Sequence, residues 1–349
     1  LEVPARIPPG LLALTKLYDG FVIRLAMQSS PHPPAFLCRR YPPNIEAALR
    51  ERFELRVNDD DGILTPSDIA RRASGSAVLF VSATEVVDRA VIAGLAPTLR
   101  IIATLSVGFD HIDLDAARAA GIRVLHTPEV LSDACAEIAM LLMLAACRRG
   151  FEADRMVRSG DWPGWAPTQL LGMGLVGKRL GIFGMGRIGR AIAVRARGFG
   201  LSIHYHNRSR LDPEWEAGAT YHPTLDGLLL ESDILMIAAP GAPSLRGAID
   251  AGRLALLPPG AVVVNISRGD LVDDHALVDA LRQGRVRAAG LDVFANEPNI
   301  HPGYRALDNV FLTPHIGSAT DETREAMGWL LIHGVEALAR GETPDNLLC

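Results

Sequence analysis

Three residue types suited to carbonyl chemistry follow three apolar runs in the C-terminal half of the chain. Arg268 lies in VVVNISRGDLVD, Glu297 in GLDVFANEP and His315 in VFLTPHIGSAT. An imidazolium near neutral pH can protonate a carbonyl oxygen while a hydride reaches the carbon. A carboxylate beside the ring favours its charged form and fixes its tautomer. A guanidinium can grip a substrate carboxylate with two parallel hydrogen bonds and polarise the neighbouring carbonyl. Taken singly, each residue has an ordinary structural reading: a histidine after a proline, a turn glutamate before Pro298, a surface cation. Acting together, they need a hydride source and a fold that brings them to one crevice.

The hydride source has its own signature. LGIFGMGRIGRAI holds Gly184, Gly186 and Gly189 in the spacing G-x-G-x-x-G. That pattern alone is weak, but here it follows an apolar strand and opens a helix, the context a dinucleotide-binding turn requires. Gly184 would make the tight turn, Gly186 would let the backbone approach a pyrophosphate, and Gly189 would let helix and strand pack closely. The helix N-terminus then offers N–H groups to phosphate. The next strand ends in YHNRSR, about 20 residues on, where an acid normally holds the ribose 2′-hydroxyl. No Asp or Glu stands between Phe199 and Leu211. Asn207, Arg208 and Ser209 occupy the place instead, with Arg210 as a further candidate. Guanidinium there suits a 2′-phosphate, so NADPH is the expected cofactor, with NADH possible. The competing reading is that Arg208 and Arg210 are solvated loop charges.

The elements that must position these residues form two series. AFLCRR, FELRV, SAVLFVS, LRIIATLS and IRVLHT read as buried strands alternating with helical NIEAALRERF, PSDIARRA, EVVDRAVIAG and LDAARAAG. Thr65-Pro66 is a good helix start. Residues 132–158 read as one long helix, followed by the Trp-, Gly- and Pro-rich loop GDWPGWAPTQLLGMGL. A second series has strands KRLGIFG, LSIHYHN, DILMIAAP, AVVVNIS, AAGLDVF and NVFLTPH, and an amphipathic helix spans about 321–340. Strand–helix alternation means parallel sheets covered on both faces. The expected class is therefore α/β, with two doubly wound domains. The expected division is an N-terminal extension over 1–34, a substrate-binding domain over 35–132 plus 319–349, and a dinucleotide-binding domain over 133–318. In such sheets ligands bind beyond the carboxyl ends of the strands, so Arg268, Glu297 and His315 can meet.

Bulk properties narrow the partners. At 349 residues, two domains are the prior. The net charge of −5 argues against a nucleic-acid binder. Cys38, Cys135, Cys147 and Cys349 are scattered and form no CxxC, as expected of reduced thiols in a cytoplasmic protein without a metal site. The longest apolar run, residues 138–147, is too short to span a bilayer, and LLALTKLYDGFVIRLAM is too broken by charge to be a signal peptide.

TLSVGFDHIDL, GMGRIG, NISRGDLVD, GLDVFANEP and LTPHIGSAT together resemble the D-isomer-specific 2-hydroxyacid dehydrogenases from about Ala35 onward. WAPTQLLG, YHNRS and TPHIGSAT resemble the glyoxylate/hydroxypyruvate reductase subgroup more narrowly. The resemblance implies a flavodoxin-like substrate domain and a Rossmann cofactor domain, with the active site in the cleft between them. It implies reduction of small 2-oxo acids, glyoxylate and hydroxypyruvate first, with Arg268, Glu297 and His315 catalytic and His315 the proton donor. It implies that Val107 and Gly108 hold the substrate carboxylate through main-chain groups, and that Asp292 meets the nicotinamide carboxamide. By the same likeness Arg187 and Ile188 line the pyrophosphate, and Ala239 and Pro240 lie beside the riboses. Ile266, Ser267, His315 and Gly317 complete the cofactor-facing set. It further implies a homodimer in which Trp165 reaches the neighbouring subunit's active site. Glu137-Ile138-Ala139 stands where some relatives carry DLA or DTA, which weakens the case for a polar contact from position 138. Two alternatives stay open. One is a sister enzyme for a bulkier substrate, of hydroxyphenylpyruvate or phosphoglycerate type. The other is a nucleotide-sensing corepressor like the C-terminal-binding proteins.

Overall fold

The computed structural model describes residues 32–349. Most of the extension expected over 1–34 therefore lies outside the described residues. Pro34 does not belong to it, because it is the first residue of a strand. The described residues divide into two compact units, 32–131 with 320–349 and 132–319.

The first unit holds a five-stranded sheet built from β1 (Pro34–Leu37), β2 (Glu54–Val57), β3 (Val78–Val81), β4 (Ile101–Thr104) and β5 (Arg123–Leu125). Its order, β2-β1-β3-β4-β5, is that of flavodoxin-like folds. All its strand pairs are parallel. Every residue of β3 and β4 is buried, as a sheet covered on both faces demands. The helix Pro66–Arg72 starts as its sequence says: the Thr65 hydroxyl accepts the Asp68 N–H. Asp88, Asp113 and Thr320 cap three further helices of this unit in the same way.

The second unit holds a seven-stranded parallel sheet. Its strands are β6 (Arg179–Phe183), β7 (Ser202–His206), β8 (Thr220–Tyr221), β9 (Ile234–Ile237), β10 (Ala261–Asn265), β11 (Val286–Leu291) and β12 (Val310–Leu312). The order β12-β11-β10-β9-β6-β7-β8 places a switch point between β6 and β9, the Rossmann arrangement. Two apolar layers flank this sheet, one centred on Leu228, Leu235 and Val263, the other on Leu142, Ile182 and Tyr205.

The long helix expected over 132–158 is broken. Helices run Ser132–Cys147 and Gly150–Ser159, with Arg149 left-handed between them at φ 56°. The loop after the second helix is the cause. It crosses the end of the first, where the Met173 N–H takes the Cys147 carbonyl at 2.7 Å. A Cβ on Gly172 would stand 2.4 Å from that same oxygen, so only glycine permits the crossing. No described helix is long and apolar enough to cross a membrane.

Candidate active site

Strand register sets the site. His206 pairs with Phe183, Phe183 with Ile237, Ile237 with Asn265, Asn265 with Leu291 and Leu291 with Leu312. These are the last residues of six neighbouring strands. Since all are parallel, their carboxyl ends lie level along one edge of the sheet. Gly184, Asn207, Ala239, Ser267, Arg268, Asp292 and His315 each follow within three residues of such an end. Residues spread over more than a hundred positions of sequence are thus delivered to one edge by backbone pairing alone.

At one end of this edge His315 and Glu297 meet. The His315 Nδ1 lies 2.8 Å from Glu297 Oε2. The other carboxylate oxygen, Oε1, accepts the Phe294 N–H at 2.8 Å. Burial pushes the Glu297 carboxyl up, but the His315 hydrogen bond and charge, the Phe294 N–H and the Arg268 charge together hold it below the ordinary range. It is ionised at neutral pH. A folded value below the unfolded one means that its contribution to stability is whole above about pH 4.3 and is lost as pH falls through the folded value. With Nδ1 directed at the carboxylate, Nε2 is the nitrogen left to face a substrate. Glu297→Gln keeps the shape but removes the carboxylate that orients the ring, so kcat/KM for reduction should fall at least about tenfold. An unchanged kcat/KM would count against the pairing.

His315 and Asn296 both hold positive φ, 54° and 59°. Such backbone is costly for residues other than glycine and persists where neighbours impose it. Asp292 imposes it on His315. Its main-chain carbonyl accepts the His315 N–H at 2.8 Å. Its Oδ1 accepts the Thr313 hydroxyl and the Ile316 N–H, and its Oδ2 accepts the Gly317 N–H. Asp292 is 1% exposed, and burial raises its carboxyl despite the three donors and the charge of His315. Three of its four or so acceptor positions are thus spent on the turn that carries His315, leaving one on Oδ2.

Arg268 stands after β10, beside β11. The Asn265 amide donates to the Arg268 carbonyl at 2.9 Å, and the Ser267 N–H donates to Asn265 Oδ1 at 3.1 Å. The Ser267 hydroxyl donates to the Ala239 carbonyl, tying the end of β10 to that of β9. Gly269 is the residue that sequence reasoning missed. A Cβ there would stand 1.8 Å from the Phe294 carbonyl carbon and 2.1 Å from the Ala295 nitrogen. The loop bearing Arg268 therefore lies against the loop bearing Glu297, and backbone would have to move to admit a methyl. Gly269→Ala should cost about 1–3 kcal/mol of stability, and should lose more activity than that loss of folded protein explains. Thermal unfolding and kcat, measured together, check this.

The glycine turn fits a dinucleotide. Gly184 has φ 98°, and its Cβ would sit 2.3 Å from the Ala239 nitrogen. A Cβ on Gly189 would sit 2.5 Å from the Gly184 carbonyl oxygen. Around Gly186, by contrast, nothing beyond the adjoining chain lies within 4 Å of the added carbon. Two glycines are needed for packing and the middle one faces open space, which is the distribution expected where a pyrophosphate approaches the backbone. Gly186 precedes the helix Arg187–Arg197, on which Arg187 is exposed and Ile188 half-buried. At the switch point Ala239 is buried, Pro240 is exposed and Ile266 is half-buried.

The YHNRSR segment divides. The Asn207 Oδ1 accepts the Met185 N–H at 2.6 Å, so its amide holds the glycine turn against the end of β7. Arg210 makes a two-pronged pair with Glu216 at 2.7 and 3.0 Å, and Glu216 also accepts the Tyr205 hydroxyl. The Arg210 guanidinium is thus already paired with a carboxylate, unlike that of Arg208. Arg208 and Ser209 are exposed, and among the described residues neither has a hydrogen-bond or ion-pair partner.

In the first unit, Val107 and Gly108 lie half-buried just beyond β4. Trp165 is 82% exposed in the loop after the helix Gly150–Ser159. No group of three His, Cys, Asp or Glu among the described residues could hold a metal ion.

Comparison with known proteins agrees with this geometry. Residues 140–317 match the family described as D-isomer specific 2-hydroxyacid dehydrogenase, NAD binding domain. A glyoxylate reductase of Thermococcus onnurineus is 42% identical over 90% of this chain and 96% of its own. A putative D-isomer specific 2-hydroxyacid dehydrogenase from Polaromonas sp. JS6 66 is 69% identical, with a TM-score of 0.87 over 91% of this chain and 100% of its own. An NADPH-dependent glyoxylate/hydroxypyruvate reductase from Sinorhizobium meliloti, in complex with NADP and malonate, is 36% identical, with a TM-score of 0.79 over 88% of this chain and 93% of its own. The chain belongs to the D-isomer-specific 2-hydroxyacid dehydrogenases, and is an oxidoreductase with that family's NAD-binding Rossmann domain.

Proposed function

We propose that this protein is an NADPH-preferring reductase of small 2-oxo acids, glyoxylate and hydroxypyruvate, giving D-2-hydroxy acids. The observation that carries the reading is the His315–Glu297 pair, 2.8 Å apart, on the same level sheet edge as the Gly184–Gly186 turn. The glycine turn would hold the pyrophosphate of a reduced nicotinamide dinucleotide, which would supply the hydride. His315 gives a proton from Nε2 to the substrate oxygen, and Glu297 holds the ring and offsets the charge it carries before donation. Arg268 grips the oxo acid and polarises its carbonyl, drawing negative charge toward the guanidinium as the oxygen becomes electron-rich. Val107 and Gly108 offer main-chain N–H groups to the substrate carboxylate. Asp292 keeps the 315–317 turn in place and has one acceptor position left for the nicotinamide carboxamide. Ile188, Ala239, Pro240, Ile266, Ser267 and Gly317 line the cofactor.

The preference for NADPH rests on the exposed Arg208 and Ser209 and on the missing acid, and the related Sinorhizobium enzyme, NADPH-dependent by name, supports it. Arg208→Ala should lower the kcat/KM ratio of NADPH over NADH about tenfold, as expected for one guanidinium–phosphate contact. A ratio unmoved by the substitution would remove Arg208 from cofactor selection and leave the reductase reading intact.

Trp165, Val176, Val194 and Val157 are large apolar side chains of the second unit that are more than half exposed. They are the candidate interface residues of a homodimer through that unit, with Trp165 near the neighbouring active site. The four free cysteines support a cytoplasmic setting. Steady-state rates with glyoxylate, hydroxypyruvate, pyruvate and hydroxyphenylpyruvate, each with NADPH and NADH, test the substrate claim. The first two should have the highest kcat/KM with NADPH. A preference for the aromatic acid would overturn it.

A further inference from the structure

Three consecutive peptide carbonyls after β4 are held by hydrogen bonds. The Ser106 carbonyl accepts the Thr127 N–H at 2.9 Å. The Val107 carbonyl lies 3.1 Å from His126 Nδ1. The Gly108 carbonyl accepts the Ser106 hydroxyl at 2.6 Å. In a planar trans peptide the N–H points opposite to the preceding carbonyl. Anchoring these carbonyls therefore turns the N–H groups of Val107, Gly108 and Phe109 to the other sides of their peptide planes.

The proton positions follow from the contacts. A carbonyl cannot donate, so His126 carries its hydrogen on Nδ1. The Ser106 hydroxyl has one hydrogen and spends it on Gly108. In the 2.8 Å contact between Ser106 and Thr104, the donor is then Thr104. Thr104 has in turn used its hydrogen, so its 2.9 Å contact with His111 Nε2 is a bond it accepts. One chain of donors runs from His111 Nε2 through Thr104 and Ser106 to the Gly108 carbonyl, and His126 makes a second anchor at Val107. Thr104 is fully buried and Ser106 is 8% exposed, so the chain is shielded from water.

We propose that His126 and the His111–Thr104–Ser106 chain are the positioning groups of the substrate-carboxylate site: they hold the Val107 and Gly108 N–H groups out toward the anion. This rests on the reading that the 107–108 turn binds the substrate carboxylate. The anchored carbonyls also polarise the amides, which strengthens their N–H groups as donors.

The test uses glyoxylate and its uncharged amide with NADPH on the wild type, His126→Leu and His126→Asn. The asparagine amide can replace the Nδ1 donor, and leucine cannot. The wild type should favour the acid. In His126→Leu the KM for glyoxylate should rise about tenfold, with kcat and the KM for NADPH within about twofold and the amide little affected. His126→Asn should recover most of the acid preference. If the wild type does not favour the acid, the carboxylate reading of the turn fails and takes this inference with it. If the wild type favours the acid and His126→Leu leaves that preference unchanged, the positioning role alone fails. Equal losses for acid and amide, or no recovery by asparagine, also overturn it. Should His126→Leu not fold, Ser106→Ala releases the Gly108 carbonyl and carries the same comparison.

Discussion

Replacing His315 by glutamine should lower kcat by roughly a thousandfold, within the range that a positioned general acid contributes. The KM for NADPH should change less than about twofold, because His315 is one of many cofactor-facing residues and glutamine keeps a polar side chain in its place. The basis is geometric. Nδ1 of His315 is committed to Glu297 at 2.8 Å, so a single nitrogen is aimed outward, and glutamine offers no group that ionises in its place. The turn itself should survive. It is held by main-chain atoms, the Asp292 carbonyl on the 315 N–H and the Asp292 carboxylate on the N–H groups of 316 and 317. A folded variant, checked by its thermal transition, that still turns over glyoxylate at the wild-type rate would end the assignment of His315 as proton donor.

Arg268→Ala should lower kcat/KM for the 2-oxo acid by about three orders of magnitude, dividing between a higher KM and a lower kcat. Two interactions go at once: a two-pronged, charge-assisted grip on the oxo acid, and polarisation of the carbonyl as it gains electrons. The guanidinium makes one local main-chain contact, Nη1 donating to the Ser267 carbonyl at 2.9 Å, but the loop has other ties. The Arg268 carbonyl is held by the Asn265 amide, and the neighbouring Gly269 packs on the Phe294–Ala295 peptide. Arg268 also helps to hold the Glu297 carboxyl below its ordinary range, so the alanine variant should alter the acid limb of the pH profile as well. A KM and kcat that both stay at wild-type values would remove Arg268 from the site.

Much of this arrangement can be read in the sequence because parallel strands buried on both faces are written as short unbroken apolar runs. VLFV, ILMI and AVVVN are buried along their whole length, and each was recognisable as a strand. Residues such as Arg268 and His315 stand just after such runs, and parallel pairing puts all strand ends on one edge. What the sequence does not carry is pairing between distant polar groups. The segment YHNRSR lacks an acid, and that much is visible. That Asn207 is spent on Met185 and Arg210 on Glu216 depends on where residues 185 and 216 come to lie. The helix break at Arg149 is hidden for the same reason, since its cause is the passage of Gly172 and Met173 over Cys147. The two-residue strand Thr220–Tyr221 is too short to show any periodicity. Gly269 could have been noticed as a glycine beside a candidate catalytic arginine, but nothing local marks the Phe294 peptide as its neighbour.

If the His315, Glu297 and Arg268 edge reduces a small 2-oxo acid to the D-hydroxy acid, chiral analysis of the product made from hydroxypyruvate and NADPH by the purified protein should find D-glycerate, formed in step with NADPH consumption. L-glycerate, or no reduction of hydroxypyruvate at all, would rule that reaction out.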